Sequence, residues 1–342
     1  MARPKYLPDN FTLSLVATVV VASLFPAHGI GATVFGHLTT VAIMLLFFLH
    51  GAKLPREALV AAITHWRLHL LILGSTFVMF PLLALGLRPV LSPLVTPALY
   101  TGVLFTCMLP STVQSSIALT SIAKGNVPAA VCAASASSVL GIFLTPLLAG
   151  VILSTRGSGG ASPLHMIGGI VMQLLVPFIA GQIARHWIGA WVTRKKAMLK
   201  LVDNSSIILT VYSAFSAAVI EGLWHEIPPA AIGGLVLVNL ILLAIALGVT
   251  TLVSRRLGFS QADRITIMFC GSKKSLAAGI PMAKVLFAGA VGGAGTVVLP
   301  LMLFHQIQLM VCSVLAQRFG ARDIALDDGG ALAPTPTPPP GR

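Results

Sequence analysis

Two adjacent lysines stand in the middle of IMFCGSKKSLAAGIPMAKVLF, the run from Ile267 to Phe287. The rest of that run is mostly apolar or small, so Lys273 and Lys274 carry most of its chemistry. Taking Arg264 as the near edge of a membrane-spanning segment, nine residues at ~1.5 Å each put Lys273 roughly 14 Å deep, near the middle of a hydrocarbon core of about 30 Å. Lys284, about 30 Å from Arg264 by the same rise, reaches the opposite interface. An ammonium at mid-depth costs on the order of 2.5–3.5 kcal/mol even on the mildest scale, and so demands a partner. None of the nine carboxylates (Asp9, Glu57, Asp203, Glu221, Glu226, Asp263, Asp323, Asp327, Asp328) falls at the centre of an apolar run. Four kinds of partner are left: serine hydroxyls, carbonyls freed where a helix breaks, water, or an anion from outside. Neighbouring ammonium groups also disfavour one another's charge, which suits one of them to carrying a proton.

A second segment echoes the first. LPSTVQSSIALTSIAKGN, residues 109–126, has the same order of serine cluster, small residues and Ala-Lys as CGSKKSLAAGIPMAKVLF, residues 270–287. Both carry helix breakers, Pro110 in one and Gly271, Gly279 and Pro281 in the other. Irregular backbone is tolerated in a membrane where it lines a protein-buried or water-filled cavity, and paired breaks in two halves of a chain point to a substrate site. The candidate substrate or coupling-ion residues are therefore Lys273, Lys274, Ser272, Ser275, Ser115, Ser116 and Thr120, with Ser135, His305 and Gln308 as further polar groups at depth. For any one such polar residue alone, hydrogen bonding between helices is the commoner role. A Ser-Lys hydrolase built on Ser272 or Ser275 is a weaker reading. Residues i and i+1 do not face each other on a helix, so that dyad needs unwound backbone or Ser116 from the other segment.

The elements that must position these residues follow from composition. Of 342 residues, 56% are hydrophobic and 9% charged, with a mean hydropathy of +0.94, which excludes a soluble globule. The apolar runs are long and continuous, so the fold class is all-α and polytopic rather than a barrel. The sequence predicts ten spans: Phe11–Phe25, Thr33–His50, Leu68–Leu87, Pro97–Ile122, Pro128–Leu153, Leu164–Arg185, Ser205–Leu223, Ala230–Val253, Ile265–Phe287 and Thr296–Ala316. The two echoing segments are the fourth and the ninth. Five spans is an odd number of crossings, so the second copy is inverted relative to the first. The domain layout is an N-tail over 1–10, a transmembrane unit over 11–318 with repeats of about 11–155 and 162–318, and a disordered tail over 319–342.

The net charge of +13 is mostly topological. On one side of these ten spans lie 17 of the 22 Lys and Arg residues, and on the other only Arg88 and Arg156. The positive-inside rule then puts both termini in the cytoplasm, with the inner membrane of a bacterium as the expected location. Cys107, Cys132, Cys270 and Cys312 all sit in apolar runs and read as packing residues, not as metal ligands or disulfides.

The segments TCMLPSTVQSS, VPFIAGQIARHWIGAWVTRKK, IMFCGSKKSLAAGIPMAKVLFAG and LPLMLFHQIQ resemble the sodium/bile acid cotransporter family, in its cotransporter 7-like branch with bacterial members. The likeness runs from about Phe11 to Arg318, and the ninth-span motif is its most specific part. It implies two inverted five-helix repeats, a panel and a core domain, and broken fourth and ninth helices that cross. It also implies secondary-active transport of a small organic anion across the bilayer, with no enzymatic activity, no nucleic-acid partner and no cofactor beyond sodium or a proton as coupling ion. Carried over, the family's sodium ligands fall on Ser115 and Ser116 and near Ala134 and Ser135. The family's ninth-helix Glu falls on Met268 to Cys270, where no acid stands, and Lys273 and Lys274 lie near its Gln-Asn pair. The resemblance therefore leaves open a sodium symporter, a proton-coupled or exchange transporter whose built-in ammonium replaces sodium, and a non-transporting regulator of calcium homeostasis.

Overall fold

The computed structural model describes residues 10–53, 65–154, 171–220, 222, 225, 227–287 and 293–330. Among these the regular elements are all helical. Helices α1 (Asn10–Leu24) and α2 (Gly29–Lys53) are followed by α3, which runs over Trp66–Gly86 and contains a π-helical turn at Ser75–Met79. Then come α4 (Pro97–Met108), α5 (Gln114–Ile122) and α6 (Val127–Ser154). A π-helical turn at Val171–Leu175 leads into α7 (Val176–Arg194), which is followed by α8 (Lys196–Ile220) and α9 (Pro229–Arg256). The chain continues through α10 (Gln261–Gly271), α11 (Leu276–Leu286) and α12 (Gly293–Gly330).

Among the described residues six helices are long and apolar enough to cross a membrane: α2, α3, α6, α8, α9 and α12. The difference from the ten predicted spans has local causes, the first being that α1, at 15 residues, is shorter than a crossing helix. The run expected over Pro97–Ile122 is divided into α4 and α5, and the run over Ile265–Phe287 into α10 and α11. The span expected from Leu164 begins outside the described residues. At the other end, α12 continues to Gly330, so the first part of the expected disordered tail is helical. ARDIALDD, residues 321–328, has no proline or glycine to interrupt a helix, and the proline run begins only after it.

Two groups of helices share the core. In one, α1, α2, α7 and α8 pack on each other; in the other, α3 to α6 and α9 to α12 surround α4 and α10, with α8 against α12 joining the two. Residues Ile265–Gly271 of α10 are all buried. By contrast Leu13, Val16, Val20 and Leu24 of α1 are exposed, as expected of a face solvated by lipid tails. At the basic end of α2, Lys53 forms an ion pair with Asp203 of α8.

Helices α2 and α7 approach to backbone contact. A Cβ added at Gly181 would collide with the carbonyl of Phe48, and one at Gly51 with that of Phe178. Without a hydrophobic drive between helices in lipid, such close approach supplies much of the packing energy. Gly31, on the same α2, meets nothing within 4 Å of such a Cβ. Gly181→Leu should therefore lower stability by about 1–3 kcal/mol, while Gly31→Ala should leave it unchanged or slightly raised. Thermal denaturation of the detergent-purified variants measures both.

Candidate functional site

The site is built where two helix breaks meet. Pro110 biases the preceding residue away from helix, and Leu109 is extended at φ −75°, ψ 154°. Helix α4 therefore ends at Met108, and the chain crosses to α5 through residues 109–113. On the other side α10 ends at Gly271, and the chain passes through residues 272–275 to α11, where Ser275 caps the new helix by accepting from the Ala278 N–H at 3.2 Å. Each break leaves terminal carbonyls without helical partners, and buried backbone oxygens in a membrane must find others.

The carbonyls that follow one another from Cys107 to Pro110 all have partners. Lys274 Nζ donates to Cys107 O at 2.7 Å and to Leu109 O at 2.9 Å. Thr145 of α6 donates its hydroxyl to Met108 O at 2.9 Å. The Ser275 N–H donates to Pro110 O at 2.8 Å. In return the first break satisfies the second: Ser111 Oγ donates to Cys270 O at 2.6 Å, and Ser116 Oγ to Phe269 O at 3.4 Å. The Ser111 N–H donates to Ser137 Oγ at 3.0 Å. Glycines permit the approach, because a Cβ at Gly279 would collide with Leu109 and one at Gly141 with Pro110.

Lys274 is wholly buried and has a third carbonyl, Thr76 O, at 2.7 Å. The π-helical turn of α3 explains why that oxygen is free. In this turn the Phe80 N–H bonds Ser75 O, five residues back. The next donor in the same register would be residue 81 to Thr76 O, and Pro81 has no N–H. The ammonium also lies 4.3 Å from the centroid of Phe80, whose ring packs edge-on against Phe304. All three N–H donors of Lys274 thus meet backbone oxygens. Hydrogen bonds to a charged group contribute about 1.5–3 kcal/mol each, enough together to offset the cost of a lysine at this depth.

The backbone of Lys274 is also fixed, by one side chain. Its N–H donates to Gln308 Oε1 and its carbonyl accepts from Gln308 Nε2, both at 2.8 Å. His305 Nδ1 lies 2.8 Å from Gln308 Nε2 and 3.4 Å from Lys274 O. Lys273, also wholly buried, is held differently. Among the described residues its Nζ donates once, to Ser115 O at 2.9 Å, and lies 5.5 Å from the centroid of Phe269.

The structure brings most of the predicted residues together, but in unequal roles. Ser115 supplies its carbonyl to Lys273, and its hydroxyl is 2.7 Å from Thr112 Oγ1, which in turn is 3.1 Å from Ser116 Oγ. Thr120 is buried, with no hydrogen-bond partner for its hydroxyl among the described residues. Ser272 turns back to Met268 O at 2.6 Å. Ser135 is half-buried and forms no hydrogen bond with this cluster, whereas Ser137 does. Lys284 donates to Ser213 Oγ of α8 at 2.6 Å. Gly271 lies against Ser75 and Thr250, and a Cβ there would sit 3.3 Å from each. Pro281 lies inside α11 rather than at its start. No Ser-Lys dyad forms: neither Lys273 nor Lys274 hydrogen-bonds a serine hydroxyl among the described residues. Sequence reasoning missed Ser111, Thr112, Thr145 and Thr76. The signal for Thr76 was a proline five residues ahead of it, and for Ser111 its place directly after Pro110.

Comparison with known proteins agrees with this architecture. The profile of the SBF-like CPA transporter family matches residues 9–321. An uncharacterized protein of Pseudomonas aeruginosa is 62% identical over 337 residues, covering 98% of this chain and 100% of the relative. YfeH of Escherichia coli, named as a candidate symporter, is 54% identical over 311 residues, covering 91% and 92%. The sodium/bile acid cotransporter 7 of Rattus norvegicus is 32% identical over 319 residues, covering 89% and 90%. With its long apolar helices and a match over nearly its whole length, the chain is an integral membrane protein, a transporter rather than an enzyme, and belongs to the SBF-like CPA transporter family.

Proposed function

We propose that the protein is a secondary-active transporter of a small organic anion, working by alternating access around the crossing of α4–α5 with α10–α11. In this reading the chain is two inverted five-helix repeats of about 11–155 and 162–318, ten spans in all. The group α1, α2, α7 and α8 acts as a panel and the rest as a core. Both termini are cytoplasmic, with 1–10 and the region from 319 as tails, in the inner membrane of a bacterium.

The observation that carries the reading is the setting of Lys274. Three backbone carbonyls converge on its ammonium at the end of a broken helix, an arrangement of oxygens that also suits a bare monovalent cation. A covalently attached ammonium there does the electrostatic work of a coupling ion without leaving the protein. Lys273 keeps two N–H donors beyond its one bond to Ser115 O. It is the group to hold a carboxylate or sulfate, or to release a proton, when the crossing rearranges. A second reading, a sodium symporter, is favoured by the hydroxyls of Ser111, Thr112 and Ser116 beside the carbonyls of Phe269 and Cys270. Ser135 is a poor ligand for such an ion here, since it stays apart from those oxygens.

Uptake of an organic-anion library into liposomes, under separate sodium and proton gradients, tests the assignment. Lys273→Gln should abolish or uncouple uptake while preserving or raising thermal stability. Lys274→Gln should lose stability, about 1–3 kcal/mol for each carbonyl it strands. If both variants transport with wild-type ion dependence, the lysines are not the coupling element and the sodium reading takes over. Lys274→Ala provides a sharper check, because a sodium ion should enter the vacated carbonyl cage. Its melting temperature should rise with sodium chloride and not with choline chloride. Orientation is tested separately: a cysteine at Lys196 should react with a membrane-impermeant reagent only from the cytoplasmic side, and one at Arg88 only from the other.

A further inference from the structure

Away from the lysines, on the basic end of the molecule, a groove opens between the start of α3 and the end of α9. Its apolar part has a volume of about 370 Å³ and is walled by Leu70, Leu71, Met79, Val249 and Val253. It adjoins a second hollow of about 240 Å³ lined by His65, Arg67, Ser260 and Asp263. Trp66, Arg67 and Phe259 belong to both, so the two form one cleft with an apolar slot and a polar mouth.

Arg67 stands at the junction. Its guanidinium lies 5.6 Å from the centroid of Phe259 and donates through Nη2 to Leu257 O at 3.4 Å, a long bond. Most of its five donors are therefore left for a ligand. Among the described residues the acid at the mouth is Asp263, and it is already engaged by Ser260 Oγ at 2.9 Å and by Asn126 Nδ2 at 2.8 Å. Arg255 and Arg256, at the end of α9, are exposed and add positive charge at the same level. Trp66 is 63% exposed, as suits an indole at the membrane–water boundary. Within the slot, Gly74 has open space where a Cβ would be.

We propose that this cleft binds an anionic phospholipid, with its phosphate on Arg67 and an acyl chain in the slot. Charge and polarity select that occupant. A positive mouth level with the headgroups, continuous with an apolar slot on a flank that faces the bilayer, matches a molecule whose anionic head and hydrocarbon tail are joined in the same order. The slot ends at Ser75 and Thr250, the two residues that contact Gly271 at the end of α10, and Ser75 is the neighbour of Thr76, which holds Lys274. A bound chain would thus buttress the wall behind the two helix breaks.

Native mass spectrometry of the full chain, released from detergent with equal dioleoyl phosphatidylglycerol and dioleoyl phosphatidylcholine, measures the preference of the first bound lipid. The wild type should retain phosphatidylglycerol about fivefold over phosphatidylcholine, the contribution of one basic residue near a membrane surface. Arg67→Gln, at an exposed position, should bring that ratio to about one. Gly74→Leu puts a side chain where a Cβ meets nothing within 4 Å and should reduce retention of both lipids. Equal retention of the two lipids by the wild type would overturn the proposal. So would an unchanged ratio in Arg67→Gln, or wild-type retention in Gly74→Leu.

Discussion

A charge buried in a membrane without a counter-ion must be solvated by dipoles, and the three carbonyls around Lys274 are the constraint on which the centre of this structure depends. Each comes from a place where a helix has been interrupted: two from the end of α4 and one from the π-helical turn of α3. A continuous α4 would spend those oxygens on its own N–H groups, and a regular α3 would do the same with Thr76 O. The breaks and the lysine therefore require one another. The broken backbone needs donors in a region without water, and the ammonium needs acceptors where there is no carboxylate. The last turn of α4 adds a favourable field, because a helix C-terminus carries partial negative charge.

Around that contact the polar groups form a nearly closed account. Ser111, Ser116 and Thr145 are spent on carbonyls of the breaks, and the amide of Gln308 fits the peptide of Lys274 with both its donor and its acceptor. Such reciprocal satisfaction fixes the backbone between α10 and α11 as firmly as a helix would. Lys273 is the exception. It is as buried as its neighbour, yet spends one donor where the other spends three. Two identical side chains at adjacent positions thus have different surroundings because the chain between them is unwound and they leave it in different directions. In the function proposed above, the better-held one serves as a structural cation and the less-held one exchanges with a substrate or proton.

The packing that surrounds the site follows from lipid as solvent. Leucines and valines that would be core residues in water face outward on α1 and α2, while the interior holds small residues, hydroxyls and the lysines beside its own leucines and phenylalanines. Gly279 and Gly141 let side chains and backbone of the two breaks meet, and Gly51 and Gly181 bring α2 and α7 into backbone contact. Polar interactions and close packing at glycines hold together what hydrophobic burial cannot.

A good deal of this was legible in the residues. Length and hydropathy determined an all-helical membrane protein, Pro110 and the glycine and serine cluster near 271 marked where helices would break, and the missing carboxylates limited the partners of Lys273 and Lys274 to four kinds. Only the tertiary structure showed which oxygens Lys274 meets. The reason is physical: the chosen partners are backbone carbonyls, which every residue has and no residue type advertises, and they lie 165 to 198 positions away along the chain. Separation along the chain also hid the difference between the two lysines, and, at 26 and 71 positions, the bond of the Ser111 N–H to Ser137 and that of Lys284 to Ser213. Side-chain chemistry and local backbone preference can be read from a sequence position by position. Which freed oxygen faces which ammonium depends on how the helices cross, and that is a property of the folded chain alone.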